Sequence, residues 1–171
     1  MIDTFVAGLK ANACTVAGPL DVDAARAAVV ERASGVVACN DDVPIPDLVA
    51  ALRGAGTDVL TPDNPMWSER LASVGVGVTG AWCAVAEPAA IGIMAAPGSP
   101  RATSLVPPTH VCVVRVADVV ASLDDAFARL ASRALPSALT WVGGPSRTGD
   151  LEMILTLGVH GPRAVDVILV D

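Results

Sequence analysis

Residues 35–39 read Gly-Val-Val-Ala-Cys, with no polar side chain among them. A strand with one face in water alternates polar and apolar side chains, so an unbroken apolar run of this length suits a strand covered on both faces. A layered architecture provides that cover, with helices on the two sides of a largely parallel sheet. The flanking sequence supplies the layers. Ile2, Phe5, Val6 and Leu9 recur at helical spacing, and the apolar run Ala13–Ala17 behind them ends at Gly18-Pro19, a stop signal. Asp21 is placed to cap a second helix carrying Val22, Ala25 and Val29 on one face. Pro46 suits the first turn of a third, which buries Leu48, Val49 and Leu52, ends at Gly54 or Gly56, and leads into Asp58-Val59-Leu60 as strand.

In the middle of the chain Val74–Val78, Trp82–Ala86 and Ala90–Met94 are too closely spaced for intervening helices, so strands meet there in hairpins or bends. A Pro/Ser/Thr-rich stretch follows, then the β-branched strand Val111–Val116 and a helix with Val119, Val120, Leu123, Phe127 and Leu130 on one face. Leu139–Val142 reads as strand, Leu151, Ile154 and Leu155 as a helix face, and Val165–Val170 as the last strand. The expectation is one α/β domain over 1–171, a mostly parallel (mixed) sheet with helices on both faces and a β-rich middle insertion.

Composition then removes function classes. The chain has 171 residues, 53% apolar, with 11 Lys+Arg against 18 Asp+Glu and a formal charge of −7. Lys10 is the only lysine, so no basic stripe exists to neutralise a phosphate backbone and nucleic acid is not an expected partner. The most apolar stretch, Ala81–Pro97, is broken by Glu87-Pro88, so no transmembrane helix is expected. Asp3 stands where a secretory signal would carry positive charge, and the expected location is cytoplasmic. Cys14, Cys39, Cys83 and Cys112 lie far apart in apolar surroundings and read as buried reduced thiols. With His110 and His160 the only histidines, neither zinc nor an iron–sulfur cluster finds its usual spaced ligands. No metal and no cofactor of its own is expected, and a redox metal would belong to a partner.

Three stretches can carry chemistry. Val142 to Glu152 runs from a predicted strand end through Gly143-Gly144-Pro145-Ser146-Arg147-Thr148 into a predicted helix, an edge where open α/β sheets bind ligands. Gly143 and Gly144 permit close backbone approach, Ser146 and Thr148 offer hydroxyls, Arg147 offers a fork for a carboxylate or phosphate, and a helix start favours an anion. Asp150 and Glu152 in the first turn would repel that anion, so Thr148 as a plain N-cap with two dipole partners is the equal alternative. His160 sits in a tight loop before the last strand, where an imidazole binds a carboxylate, relays a proton, or pins the loop to backbone or to Asp150 or Glu152. His110, entering a strand, reads as structural. Glu87 is the one charge between Ala81 and Arg101; it is either a buried carboxylate put to use or an exposed bend made by Pro88. Arg101–Ser104 reads as a connector, with a loop closing over a ligand as the alternative.

These stretches together resemble the LUD family, the lactate-utilisation protein C group. The matching residues are Gly144-Pro145-Ser146, Thr148, Asp150 and Glu152, then Gly158-Val159-His160-Gly161-Pro162, and the ending Val167–Asp171. Weaker matches are Val78-Thr79-Gly80-Ala81, Ala86-Glu87, and Ser104-Leu105 through Pro107-Pro108 to His110-Val111. The resemblance covers the chain from about Gly35 onward, and the chain looks short at its N-terminus beside relatives with a leading helical segment. It implies a fold similar to the NagB/RpiA/CoA-transferase group. It also implies a role in oxidising L-lactate to pyruvate, as a cluster-free component beside iron–sulfur partner proteins.

By analogy with the CoA-transferase glutamate, Glu87 becomes a catalytic candidate beside His160. This chain departs from the relatives' Thr-Gly after that glutamate, since Pro88-Ala89 removes a hydroxyl, a backbone donor and the glycine's freedom. Thr79, Gly144, Ser146, Arg147, Thr148, Asp150, Glu152 and Arg163 are the ligand-binding candidates. Two alternatives stay open at this point: a stand-alone enzyme handling a carboxylate or acyl-CoA, and a sensor of a small anion or nucleotide. A homodimer is compatible with each.

Overall fold

The computed structural model describes residues 1–149, 155–157 and 160–171, with side chains described up to Arg147 and again from His160. Helix α1 (Ile2–Ala11) buries Phe5 and Leu9 and leads into strand β1 (Thr15–Leu20). Asp21 caps helix α2 (Val22–Arg32) by accepting a hydrogen bond from the Ala24 N–H at 2.8 Å, an interaction worth about 1 kcal/mol. Strand β2 (Val36–Cys39), helix α3 (Leu48–Gly54), strand β3 (Asp58–Leu60) and the short helix α4 (Trp67–Arg70) follow. Strands β4 (Val76–Gly80), β5 (Cys83–Glu87) and β6 (Ala90–Met94) precede a 3₁₀ turn at Arg101–Ser104 and strand β7 (Thr109–Arg115). The remainder is β8 (Val119–Ser122), α5 (Leu123–Ala131), β9 (Leu139–Val142), β10 (Arg147–Gly149), β11 (Leu155–Leu157) and β12 (Ala164–Val170).

Six strands form a parallel sheet in the order β1-β12-β7-β4-β2-β3. Successive side chains of a strand point to opposite faces, and the core divides accordingly. Val111, Val113, Ile168 and Val170 pack with α2 and α3, through Ala25, Val29, Leu48 and Leu52. Cys112, Val114, Val165, Val167 and Leu169 face the other way, against α1 and a second, four-stranded sheet in the order β8-β5-β6-β9. In that sheet β5 runs parallel to β8, while β6 is antiparallel to both β5 and β9. The α/β class, the mixed sheets, the helices on both faces and the β-rich middle are therefore all present. The middle strands β5 and β6 draw β8 and β9 from later in the chain to complete their sheet. Among the described residues no helix is long and apolar enough to cross a membrane.

Four local expectations are corrected. Gly18-Pro19 does not stop β1; the strand continues to Leu20 with a register irregularity, and at the sheet edge the proline costs no central ladder bond. Gly18 has φ +102°, and a Cβ there would strike the Leu169 carbonyl oxygen. Val119 and Val120 belong to β8 and not to a helix, because Ser122 and Asp125 form a capping box that starts α5 at Leu123. Phe127 is consequently half exposed, at 50%, and stacks edge-on against Trp141.

Where the stretch expected to be helical after Thr148 is described, at Gly149 and Leu155–Leu157, it is paired strand. Arg147, Thr148 and Gly149 lie antiparallel to Leu157, Thr156 and Leu155. The apolar positions Leu155 and Leu157 follow the two-residue period of a strand, while Leu151 and Ile154 lie outside the described residues. The last correction concerns the edge itself. Strand β9 belongs to the second sheet, so the loop after Val142 is not at the carboxyl end of the parallel sheet.

Candidate functional site

The loop Gly143-Gly144-Pro145-Ser146 leaves β9 and is pressed onto the C-terminal end of α1. A Cβ on Gly144 would lie 2.5 Å from the Asn12 carbonyl oxygen, so only glycine lets the chain approach this closely. The loop then meets the segment preceding β12. The Ser146 N–H donates to the Pro162 carbonyl at 2.9 Å, and a Cβ on Gly161 would come within 3.2 Å of Ser146 Cβ. That second loop is itself anchored, since the Arg163 and Ala164 N–H groups both donate to the Pro108 carbonyl, at 2.7 and 3.2 Å. The two motifs that stand out in the sequence thus share one wall.

Between them lies a cavity of about 220 Å³, bordered by Ser104, Leu105, Trp141, Ser146, His160 and Val165. His160 is exposed and Val165 is buried, so the cavity has a polar mouth and an apolar floor. A hydroxyl and an imidazole at the rim can hold a carboxylate, and the imidazole can exchange a proton with a bound hydroxyl. Residues 147–149 are strand, so among the described residues of that stretch no helical N–H groups offer the expected anion site. Thr148 contributes a strand position opposite Thr156. Asp150 and Glu152 lie outside the described residues.

Arg147 borders an adjoining hollow of about 250 Å³ with Asn12, Gly143, Gly144 and Pro145. Its guanidinium donates to the Asn12 carbonyl at 3.1 Å, at the negative end of the α1 dipole. One edge of the fork is thereby oriented while the side chain remains exposed. Cys14 sits nearby with its Sγ 3.8 Å from the Gly143 carbonyl; burial pushes its thiol up to about 11, against the opposing pull of Arg147. That thiol is inert at neutral pH. Arg163 is exposed one residue beyond Pro162.

Glu87 ends β5 opposite Ser122 and is exposed at the bend made by Pro88. The turn after it brings Ala89, at φ +59°, against Gly8, and the Ala89 carbonyl lies 3.9 Å from where a Gly143 Cβ would stand. Glu87 therefore shares an edge of the second sheet with the Gly143 loop, on β5, two strands from β9 and about 10 Å away at ordinary strand spacing.

Thr79 is placed differently from the other candidates. It is fully buried on β4, its hydroxyl 2.8 Å from His110 Nε2 and 3.7 Å from Cys112 Sγ, and it borders neither cavity. His110 is buried with Nδ1 unpartnered, and burial lowers its pKa to about 4. Asn12 and Trp141 are site residues that the sequence does not mark. Their only signal is position, Asn12 as the cap of α1 and Trp141 one residue before the end of β9.

Comparison with known families matches residues 46–170 to the LUD domain. A lactate utilization protein C of Deinococcus radiodurans is 35% identical over 117 residues, covering 67% of this chain and 55% of that protein. An uncharacterised protein of Neisseria meningitidis serogroup B is 29% identical over 105 residues, covering 60% of this chain and 45% of that protein. The aligned part thus spans about half the length of these curated relatives. A crystal structure of a DUF162 family protein from Deinococcus radiodurans superposes with a TM-score of 0.73 at 24% identity, over 99% of this chain and 96% of that one. The shared fold is the NagB/RpiA/CoA-transferase-like arrangement.

Proposed function

Because the chain belongs to the LUD domain family, we propose that it is the cluster-free component of an L-lactate-oxidising system and works beside iron–sulfur partner proteins in the cytoplasm. The observation that carries this reading is the closure of one small cavity by the Ser146 loop and the His160 loop, together with a relative named lactate utilization protein C. The cavity volume suits a small carboxylate. In the proposed arrangement Ser146 and His160 hold the carboxylate and hydroxyl of lactate, with Arg147 and Arg163 supplying positive charge at the rim. Oxidation to pyruvate releases two protons, one from the hydroxyl and one from the carbon that bears it, together with two electrons. His160 takes the hydroxyl proton, the carbon-bound proton leaves to water, and the two electrons go one at a time to the partners' clusters.

Recovery of the tagged chain from its native cells grown on lactate tests this. The expected eluate contains iron and oxidises lactate, and His160→Ala lowers that oxidation while leaving the associated proteins in place. A colourless, solitary protein would overturn the reading. A second reading, a stand-alone enzyme handling a carboxylate or acyl-CoA, is favoured by the exposed Glu87 on the same edge as Gly143. In that case Glu87→Gln abolishes turnover of the isolated chain, and unchanged turnover removes it.

A further inference from the structure

A third and much larger cavity, of about 770 Å³, lies at the other end of the second sheet and, among the described residues, shares no lining residue with the Ser146–His160 cavity. Its walls include Met94 at the end of β6 and Ala138 just before β9, about 14 Å along the sheet from the Glu87 edge at the usual rise per residue. Small and apolar side chains make most of its surface. Two guanidiniums also border it, Arg101 and Arg133, and among the described residues no carboxylate does. In a chain with 18 acids against 11 Lys+Arg, a cavity lined by two cations and by no described acid departs from the surrounding surface.

Neither arginine is used up by the fold. Among the described residues neither forms an ion pair, while Arg26, Arg32, Arg70 and Arg129 each do. Arg133 lies 5.9 Å over the ring of Trp82, a contact that holds the cation and leaves its N–H edges available. Arg101 opens the 3₁₀ turn, and that turn is fastened from below. Thr103 and Ser104 are buried, the Thr103 hydroxyl donates to Asn40 Oδ1 at 2.7 Å, and the Ser104 hydroxyl donates to the Arg101 carbonyl at 2.8 Å. The Thr103 carbonyl packs so close to Gly77 that any side chain there would collide with it. Arg101 is therefore displayed from a rigid platform with its own side chain exposed.

We infer that this cavity binds an organic carboxylate with an apolar body. Guanidinium forks match a carboxylate with paired hydrogen bonds. The apolar wall supplies the remaining affinity, and the volume lies within the range of small-molecule sites. This inference does not depend on the lactate reading, because the two sites have none of their described lining residues in common.

Titration of the purified chain with octanoate tests it. Trp67 lines the cavity and Trp82 lies under Arg133, so tryptophan fluorescence reports occupancy. Saturable binding is expected, with Arg101→Gln and Arg133→Gln each weakening it about tenfold or more and the uncharged octanamide binding at least tenfold more weakly. Ala96→Trp, at an exposed wall position, narrows the cavity without changing charge or core and is expected to weaken binding, measured by calorimetry because the new indole adds to the fluorescence. Ser146→Ala is expected to leave octanoate binding unchanged. Absence of saturation, equal binding of octanamide, or affinity unaltered in both arginine variants and in Ala96→Trp would each overturn the inference.

Discussion

Strand β12 is buried along both faces, with Val165, Val167 and Leu169 against α1 and the second sheet and Ile168 and Val170 against α2 and α3. Strand β9 is half-buried at every position and, among the described residues, pairs with one neighbour, β6. The first strand is fixed by the burial of these apolar side chains on both sides. The second is held by pairing with a segment far away in sequence, and the loop that leaves it carries the candidate site. The interior of the molecule is thus set by dense apolar burial, while the site depends on a few long-range backbone contacts such as Ser146 to Pro162.

The largest effect should come from the interior. Ile168→Ala is expected to cost about 2–5 kcal/mol in urea unfolding, whereas Leu139→Ala in β9 should cost no more than about 1 kcal/mol. Equal losses would break the comparison. The face of the parallel sheet that carries Thr79 and His110 offers a pH test. Above the ordinary histidine value of 6.5 both folded and unfolded chains hold the imidazole neutral, so it contributes nothing there. As pH falls towards 4, the unfolded chain takes up a proton that buried His110 refuses, and stability drops by on the order of 3 kcal/mol. Asp42, whose carboxyl burial raises above 3.8, tilts stability the other way over its own window, since its folded form holds a proton that the unfolded form releases. His110→Gln separates the two: the variant should lose less stability than the parent between pH 6.5 and 4, and an identical slope would show that His110 is protonated in the folded state.

At the site itself, Arg147→Ala should weaken L-lactate binding by about 1.5–3 kcal/mol, the scale of a lost charged hydrogen bond. Calorimetric titration measures it, and unchanged affinity would remove Arg147 from the site. The smallest effect belongs to the start of α5. Ser122→Ala removes the hydroxyl that accepts the Asp125 N–H and should lower stability by about 1 kcal/mol, read as a modest fall in Tm. No change would mean that Val119–Ser122 and α5 are fixed by packing alone.

How much of this was readable follows the same division. β2, β7 and β12 are evident as apolar runs because nothing else accommodates them. Asp21 is evident as a cap because its chemistry is local. The start of α5 is obscured in the sequence because Val119 and Val120 continue the helical spacing of Leu123, and only the capping box breaks it. After Thr148 the spacing of Leu151, Ile154 and Leu155 points to a helix, whereas Leu155 pairs as strand with Gly149, a partner that only the folded chain supplies. The Ser146 and His160 stretches were recognisable separately, but their shared cavity depends on which strands become neighbours. The same holds for Thr79, where the order β4 beside β7 places its hydroxyl on His110. Arg101 and Arg133 have no spacing that signals a common wall, since the turn and the segment after α5 meet only in the folded chain.

The most direct test of the central claim is lactate oxidation by the complex recovered from lactate-grown cells, measured before and after this chain is stripped from it and again when the purified chain is returned. The account predicts that lactate-dependent electron transfer falls to background on removal and is restored by the parent chain but not by His160→Ala. Partner proteins that oxidise lactate at the full rate without the chain would contradict it.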